Sequence, residues 1–145
     1  MKILAKNRRA TFDYEILERI EAGIQLAGPE VKSVKLGHIS LKGSFVTFTG
    51  NEAFLTNAHI TPYQHSAHNE DPDRSRKLLL ARREIEHLTG ASKSKGMSVI
   101  PLAVGVSHGL IKIEIGLGKG KGRIDKREVI KKRQTERELN RRVKN

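Results

Sequence analysis

Hydrophobic and polar positions along this chain follow two periods, and the changes between them mark out its elements. Residues 14–26 favour extended structure, with Ile24 and Leu26 flanking Gln25. Gly28-Pro29-Glu30 then reads as a helix start. Proline is pre-set for the first helical position, and an acid in the first turn suits the helix dipole. Val31 and Val34, with Leu36 beyond them, would face inward, and Gly37 is placed to stop the helix. The clearest hairpin joins 44–49 to 52–56 through Gly50-Asn51, a two-residue turn tolerant of positive φ. A second joins 97–106 to 110–117 around Ser107-His108-Gly109; there Ile111, Ile113 and Ile115 alternate with Lys112 and Glu114, giving one core face and one wet face.

Between the hairpins, residues 61–73 read as a polar loop containing Pro62 and Pro72. Asp71-Pro72 offers a cap and first turn for a helix over 74–88, ended by Gly90, with Leu78, Ala81, Ile85 and Leu88 on one face. Residues 1–11 read as a mobile basic lead-in. Several short antiparallel strands with one or two helices predict a mainly β fold, a small closed antiparallel barrel, because closure removes exposed strand edges. Four of the aromatics, which are Phe12, Tyr14, Phe45, Phe48, Phe54 and Tyr63, are assigned to the barrel core. The expected domain spans 1–117, with 118–145 as a basic tail.

Charge changes this picture at one end. Of 145 residues, 28 are Lys or Arg and 16 Asp or Glu, a net +12, which points to a polyanionic partner. Residues 116–145 hold twelve Lys/Arg against four Asp/Glu, so two thirds of the net charge sits in about a fifth of the chain. Glycines at 116, 118, 120 and 122 weaken any continued strand there. Asp125 with Glu128 then forms a capping-box-like pair, and Ile124 can staple onto Val129. Beyond Ile130 there is no apolar stripe, and Arg133, Arg137 and Arg141 stack at helical spacing; such a helix becomes favourable beside phosphates.

Other chemistry is sparse. With no cysteine, disulfides, thiolate metal sites and cysteine nucleophiles are excluded. No apolar run approaches the roughly 20 residues that span a bilayer, so a cytoplasmic protein without a membrane partner is expected; a monomer is expected as well. The Gly/Lys segment fits no nucleotide-binding motif. His65 and His68 lack a third ligand at recognisable spacing, so no metal and no cofactor is expected, and no acid–base set suggests an enzyme. Tyr63, beside Pro62 in a polar loop, is the candidate for stacking on an unpaired base, and His59 is a weaker one. Lys32, Lys35, Arg76, Lys77 and Lys112 are candidate phosphate contacts; Lys112 points outward from a strand whose other face is apolar.

The residues also resemble a known family, small protein B, the SsrA-binding proteins that partner transfer-messenger RNA in bacterial ribosome rescue. The likeness rests on Glu21-Ala22-Gly23, Gly28-Pro29-Glu30-Val31-Lys32-Ser33, Asn51-Glu52-Ala53-Phe54-Leu55, Asp71-Pro72-Asp73-Arg74-Ser75-Arg76-Lys77-Leu78-Leu79-Leu80, Arg83-Glu84-Ile85, Gly116-Leu117-Gly118-Lys119-Gly120-Lys121 and Asp125-Lys126-Arg127, in that order. The resemblance implies an oligonucleotide-binding-like barrel that grips the tRNA-like domain of that RNA near its elbow and D-loop. It implies RNA contacts at Glu21, Leu79, Lys112 and the Asn7-Arg8-Arg9 lead-in. The family's tail enters the decoding site and mRNA channel of a stalled ribosome, a role that would fall to Gly120, Asp125, Lys126 and Arg127, with Lys119, Lys121, Arg123, Lys131, Lys132, Arg133, Arg137 and Arg141 as basic support. Where the family usually reads Gly-Lys-Lys and later an aromatic or His before Asp-Lys-Arg, this chain has Gly122 and Ile124, so a stacking role is not carried to Ile124. The competing expectation is a basic ribosome-associated structural protein without a tagging role.

Overall fold

The computed structural model describes residues 1–121. In chain order the elements are β1 (Lys2–Lys6), α1 (Ala10–Asp13), β2 (Tyr14–Ile24), α2 (Gly28–Lys35), β3 (Ile39–Ser40), β4 (Phe45–Thr49), β5 (Glu52–Thr56), β6 (His59–Ile60), β7 (Arg76–Leu79), α3 (Arg82–Ser92), β8 (Met97–Ser107) and β9 (Leu110–Gly120). Seven strands form one antiparallel sheet in the order β1-β8-β9-β2-β7-β5-β4, and β3 pairs with β6 alone. The mainly β, antiparallel expectation holds.

Both predicted hairpins form for the reasons their turns give. His108 and Gly109 take φ of 50° and 77°, as a two-residue turn with two left-handed residues requires, and Gly50 takes 60° between β4 and β5. Along β9, Ile111, Ile113, Ile115 and Leu117 are buried; with Val99, Val104, Leu55, Leu78, Val34 and Leu88 they make an aliphatic core. Each such side chain contributes roughly 1.5–3 kcal/mol by leaving water. α2 starts and stops where expected: the Glu30 carboxylate accepts from the Ala27 amide at 2.9 Å, and Gly37 takes φ 82°. Val34 is buried, but Leu36 is 61% exposed, contrary to the inward placement expected of it.

Several further expectations need correction. The lead-in is not mobile throughout: β1 adds to β8, and Asn7 closes the pairing, its amide donating to the Leu102 carbonyl at 2.8 Å. The stretch from Arg74 is not a helix. β7 occupies 76–79, and α3 begins only at Arg82, where Glu84 accepts from the Ala81 amide; it then continues through Gly90 to Ser92. The sheet is not closed by hydrogen bonds, since β1 and β4 are its two edges. β4 lies beside β8 without pairing to it, and an open groove of about 730 Å³ there is lined by Arg9, Tyr14, Phe45, Phe48, Thr89 and Ile100. The aromatics are thus half-buried or exposed, and the core is aliphatic.

The last correction concerns the glycines. β9 runs through Gly116 and Gly118 to Gly120, three residues past the expected domain boundary. Its outer face is covered there by a second small cluster of Ala10, Ile100 and Leu102, packed with Tyr14 and Ile16. A Cβ at Gly116 would lie 2.8 Å from Leu102 Cδ1, and one at Gly118 3.0 Å from Tyr14 Cβ. Glycine is needed here for close packing and does not break the strand. The chain is still tied down at Lys121, whose amide donates to the Asp13 carbonyl at 2.9 Å and whose ammonium donates to the Thr11 carbonyl at 2.7 Å.

Candidate nucleic-acid interface

Strand register decides which of the predicted RNA contacts come together. Gly23 pairs with Leu79 on one side and Lys112 on the other, and Lys112 pairs in turn with Gly105. Paired residues share a face, as do residues two apart on one strand. Leu79, Lys112 and Glu21 therefore share the outer face of the sheet, and Lys77, two residues from Leu79, joins them. Positions from 21 to 112 converge on one strip. Leu79 is 55% exposed, an apolar shelf among charges, and it can lie across β2 because position 23 is glycine: a Cβ there would sit 3.1 Å from Leu79 Cβ.

Sequence reasoning missed the strip's continuation. Arg19, two residues before Glu21, holds Glu114 at 2.9 Å, and Glu114 pairs with Glu21. Both line a groove of about 670 Å³ whose far wall includes Lys6 and Arg8. The basic turn after β1 is thereby linked to the strip. The period-2 alternation of Ile20, Ala22 and Ile24 with Arg19 and Glu21 is the signal that would have found it. Asn7 lies in the same turn, but its side chain donates to the Pro101 carbonyl at 2.9 Å, anchoring β1 at the bulge in β8. Arg9 stacks over Phe12 at 5.0 Å and pairs with Asp13, the residue whose carbonyl holds Lys121, the last described residue.

A second group lies on α2 and the 61–73 loop. Lys32 and Lys35 are exposed on the helix, and the Lys32 ammonium sits 5.4 Å from the centre of the Tyr63 ring. His59 is engaged with Asp73 at 2.8 Å. Among the described residues no group of three or more His, Asp or Glu could hold a metal, and no helix is long and apolar enough to cross a membrane. Lys119, Gly120 and Lys121 end β9. Arg123, Asp125, Lys126, Arg127, Lys131, Lys132, Arg133, Arg137 and Arg141 lie outside the described residues.

Arg76 does not belong to any surface. It is fully buried, and its guanidinium binds Glu30 Oε2 (2.9 Å from Nε), the Ala58 carbonyl (2.7 Å) and the Pro72 and Asp71 carbonyls (2.9 and 3.3 Å). Arg74 completes the hub by donating to Glu30 from a half-buried position. Assigning Arg76 to RNA is therefore wrong: its fork is used inside the fold, joining α2, the 61–73 loop and β7.

Burial alone would raise the Glu30 carboxyl. Hydrogen bonds from Arg74, the Ala27 amide and Arg76, with the charge of Arg76, outweigh it and hold the group below its ordinary 4.5. The folded chain thus binds this proton less tightly than the unfolded chain. Its contribution to stability is complete above the unfolded value and is lost as pH falls through the lower folded one. In a carboxyl-resolved NMR titration Glu30 should protonate below its ordinary 4.5, with unfolding in urea easing over the same pH range. A Glu30 that titrates at or above that value would contradict the hub.

Known proteins resemble this chain over nearly its whole length. The family described as SmpB protein matches residues 4–145. A protein of Leuconostoc mesenteroides named SsrA-binding protein is 50% identical over 143 residues, 98% of this chain and 93% of the relative. One of the same name from Streptococcus mutans is 49% identical over 98% of this chain and 92% of the relative. A chain of the solved structure "tmRNA-SmpB: a journey to the center of the bacterial ribosome" superposes with a TM-score of 0.70 at 43% identity, covering 87% of this chain and 93% of that one.

Proposed function

The chain belongs to the SmpB protein family, one of RNA-binding proteins rather than enzymes, and on that premise we propose that it is a monomeric, cytoplasmic adaptor for transfer-messenger RNA. Its curled sheet serves as an oligonucleotide-binding-like surface for the tRNA-like domain of that RNA. Residues beyond the sheet act on the stalled ribosome, in the decoding site and mRNA channel, during trans-translation. The observation that carries the first part is the convergence of Glu21, Lys77, Leu79 and Lys112 on one outer strip. Lysines there meet phosphate, and an exposed leucine between charges offers a base or ribose an apolar rest. The Glu21 carboxylate accepts hydrogen bonds and repels phosphate, which favours a base edge over backbone.

Binding of the tRNA-like domain, with ordinary tRNA as competitor, tests this reading. Lys112→Met should weaken binding and reduce the slope of affinity against salt by roughly 0.7–0.9, the signature of one lost phosphate contact. Leu79→Ala should weaken binding with the slope unchanged. Lys95→Met, off the strip, should do little. Equal losses from Lys95 and Lys112 would reduce the strip to general basicity.

A further inference from the structure

Tyr63 is poorly explained as a packing residue. It sits in a polar loop with its ring half-exposed, and its hydroxyl takes no hydrogen bond from the described residues. No residue from 61 to 71 is buried. Yet the loop is pinned. Asn69 clamps Tyr63 from both sides, its Oδ1 accepting from the Tyr63 amide at 3.0 Å and its Nδ2 donating to the Tyr63 carbonyl at 3.2 Å. Ser33 Oγ ties the loop to α2 by donating to the Thr61 carbonyl at 2.7 Å, and Arg76 holds the far end at Asp71 and Pro72. Ordering backbone costs about 1–2 kcal/mol per residue, and no burial within this segment offsets it. An exposed ring held still is a preorganised contact.

The surroundings say what it would contact. Lys32 stands 5.4 Å from the ring centre, and His65 meets the ring edge-on at 5.4 Å and 73°. Beside the ring, Leu36 and His38 form the wall of an open cavity of about 150 Å³ whose lining holds no carboxylate. Ligand pockets run to roughly 300–1,000 Å³, so this one suits a single planar ring and not a whole ligand. Aromatic face, apolar wall, ring nitrogens at the edge and a cation nearby match a nucleotide: a base to stack, base edges to bond and a phosphate to neutralise.

We propose that the α2–loop pocket takes one unpaired nucleotide of the RNA held by the sheet strip, its base stacked on Tyr63 and its phosphate beside Lys32. This rests on the reading above, because the strip brings the RNA: β2 ends at Ile24, only a short turn before α2. The exposed Leu36, otherwise a cost in water, becomes the floor beside the base.

The chain has no tryptophan, so Tyr63→Trp places a single reporter at the site. Titrated with the tRNA-like domain of transfer-messenger RNA, the full-length Tyr63→Trp variant should bind at least as well as the parent and lose fluorescence as the base stacks. Tyr63→Phe should bind like the parent. Tyr63→Leu, apolar but not aromatic, should bind about 5- to 150-fold more weakly, the equivalent of about 1–3 kcal/mol for one stacked base. Unquenched Tyr63→Trp emission with unchanged affinity of Tyr63→Leu would overturn the proposal. So would a Tyr63→Leu defect confined to ribosome tagging, which would assign the pocket to a ribosomal partner. Failure of the parent chain to prefer this RNA over ordinary tRNA would instead count against the adaptor reading itself.

Discussion

Arg76→Met is expected to destabilise the fold by about 3–5 kcal/mol, measured by urea unfolding. Methionine fills similar space, so the loss is not chiefly a cavity. It strips one donor each from Glu30 Oε2 and from the carbonyls of Ala58, Asp71 and Pro72. Glu30 Oε2 keeps Arg74 Nε, and Pro72 and Asp71 keep the Ile60 and Arg74 amides, but the buried Ala58 loses the guanidinium its carbonyl accepts from. Glu30, only 5% exposed, would keep its charge with only the half-buried Arg74 to answer it. Two buried ions are costly to desolvate, several kcal/mol each, and the hub is favourable only because nearly every polar atom finds a partner. Removing both ions together, as in Arg76→Met with Glu30→Met, should therefore cost less than the single change. Arg76→Lys should not rescue, because a point charge cannot reproduce the fork. A loss below about 1 kcal/mol for Arg76→Met would mean that the hub is not structural.

The same residue explains why β7 was hidden in the sequence. In a half-buried strand the inward positions are normally apolar. Here Arg76 and Leu78 point inward while Lys77 and Leu79 point out, so each face carries one charged and one apolar residue. The alternation cancels, and the Leu78-Leu79-Leu80 run reads as part of the helix that follows. β9 misled for the opposite reason: its glycines suggest a flexible linker, and only the approach of Leu102 and Tyr14 reveals that they are spacers. β1 is a short edge strand with a lysine at each end and only three apolar residues between, recognisable from its partner β8 alone. What was legible had its cause within a few residues: the two hairpin turns, the Gly28–Gly37 helix and the isoleucine alternation of β9. The strip was half legible. Lys112 stood out from its own strand, but its neighbours come from register, which sequence patterning does not encode at that distance. Glu21 and Leu79 entered through family resemblance, and register then put them beside Lys112.

The second large effect concerns the boundary between RNA grip and ribosome action. Cutting the chain at 118, the boundary read from composition, would remove the end of β9 where it pairs with Tyr14, Glu15 and Met97, along with the Lys121 anchor. Such a truncation would injure the sheet and confuse the two roles. Ending the chain after Lys121 leaves every described element intact. The removed residues 122–145 carry ten Lys/Arg against four Asp/Glu, so some affinity for any polyanion is lost with them, most visibly at low salt. Selectivity for the tRNA-like domain over ordinary tRNA should remain, because the strip is untouched.

The most direct measurement of the proposed division of labour follows the 1–121 chain in two assays beside the full chain. One is binding of the tRNA-like domain at physiological salt; the other is tagging of peptides on stalled ribosomes. We expect binding within about tenfold of the full chain, a loss of less than about 1.4 kcal/mol, with tagging abolished. Binding that collapses with the truncation, or tagging that survives it, would contradict the account.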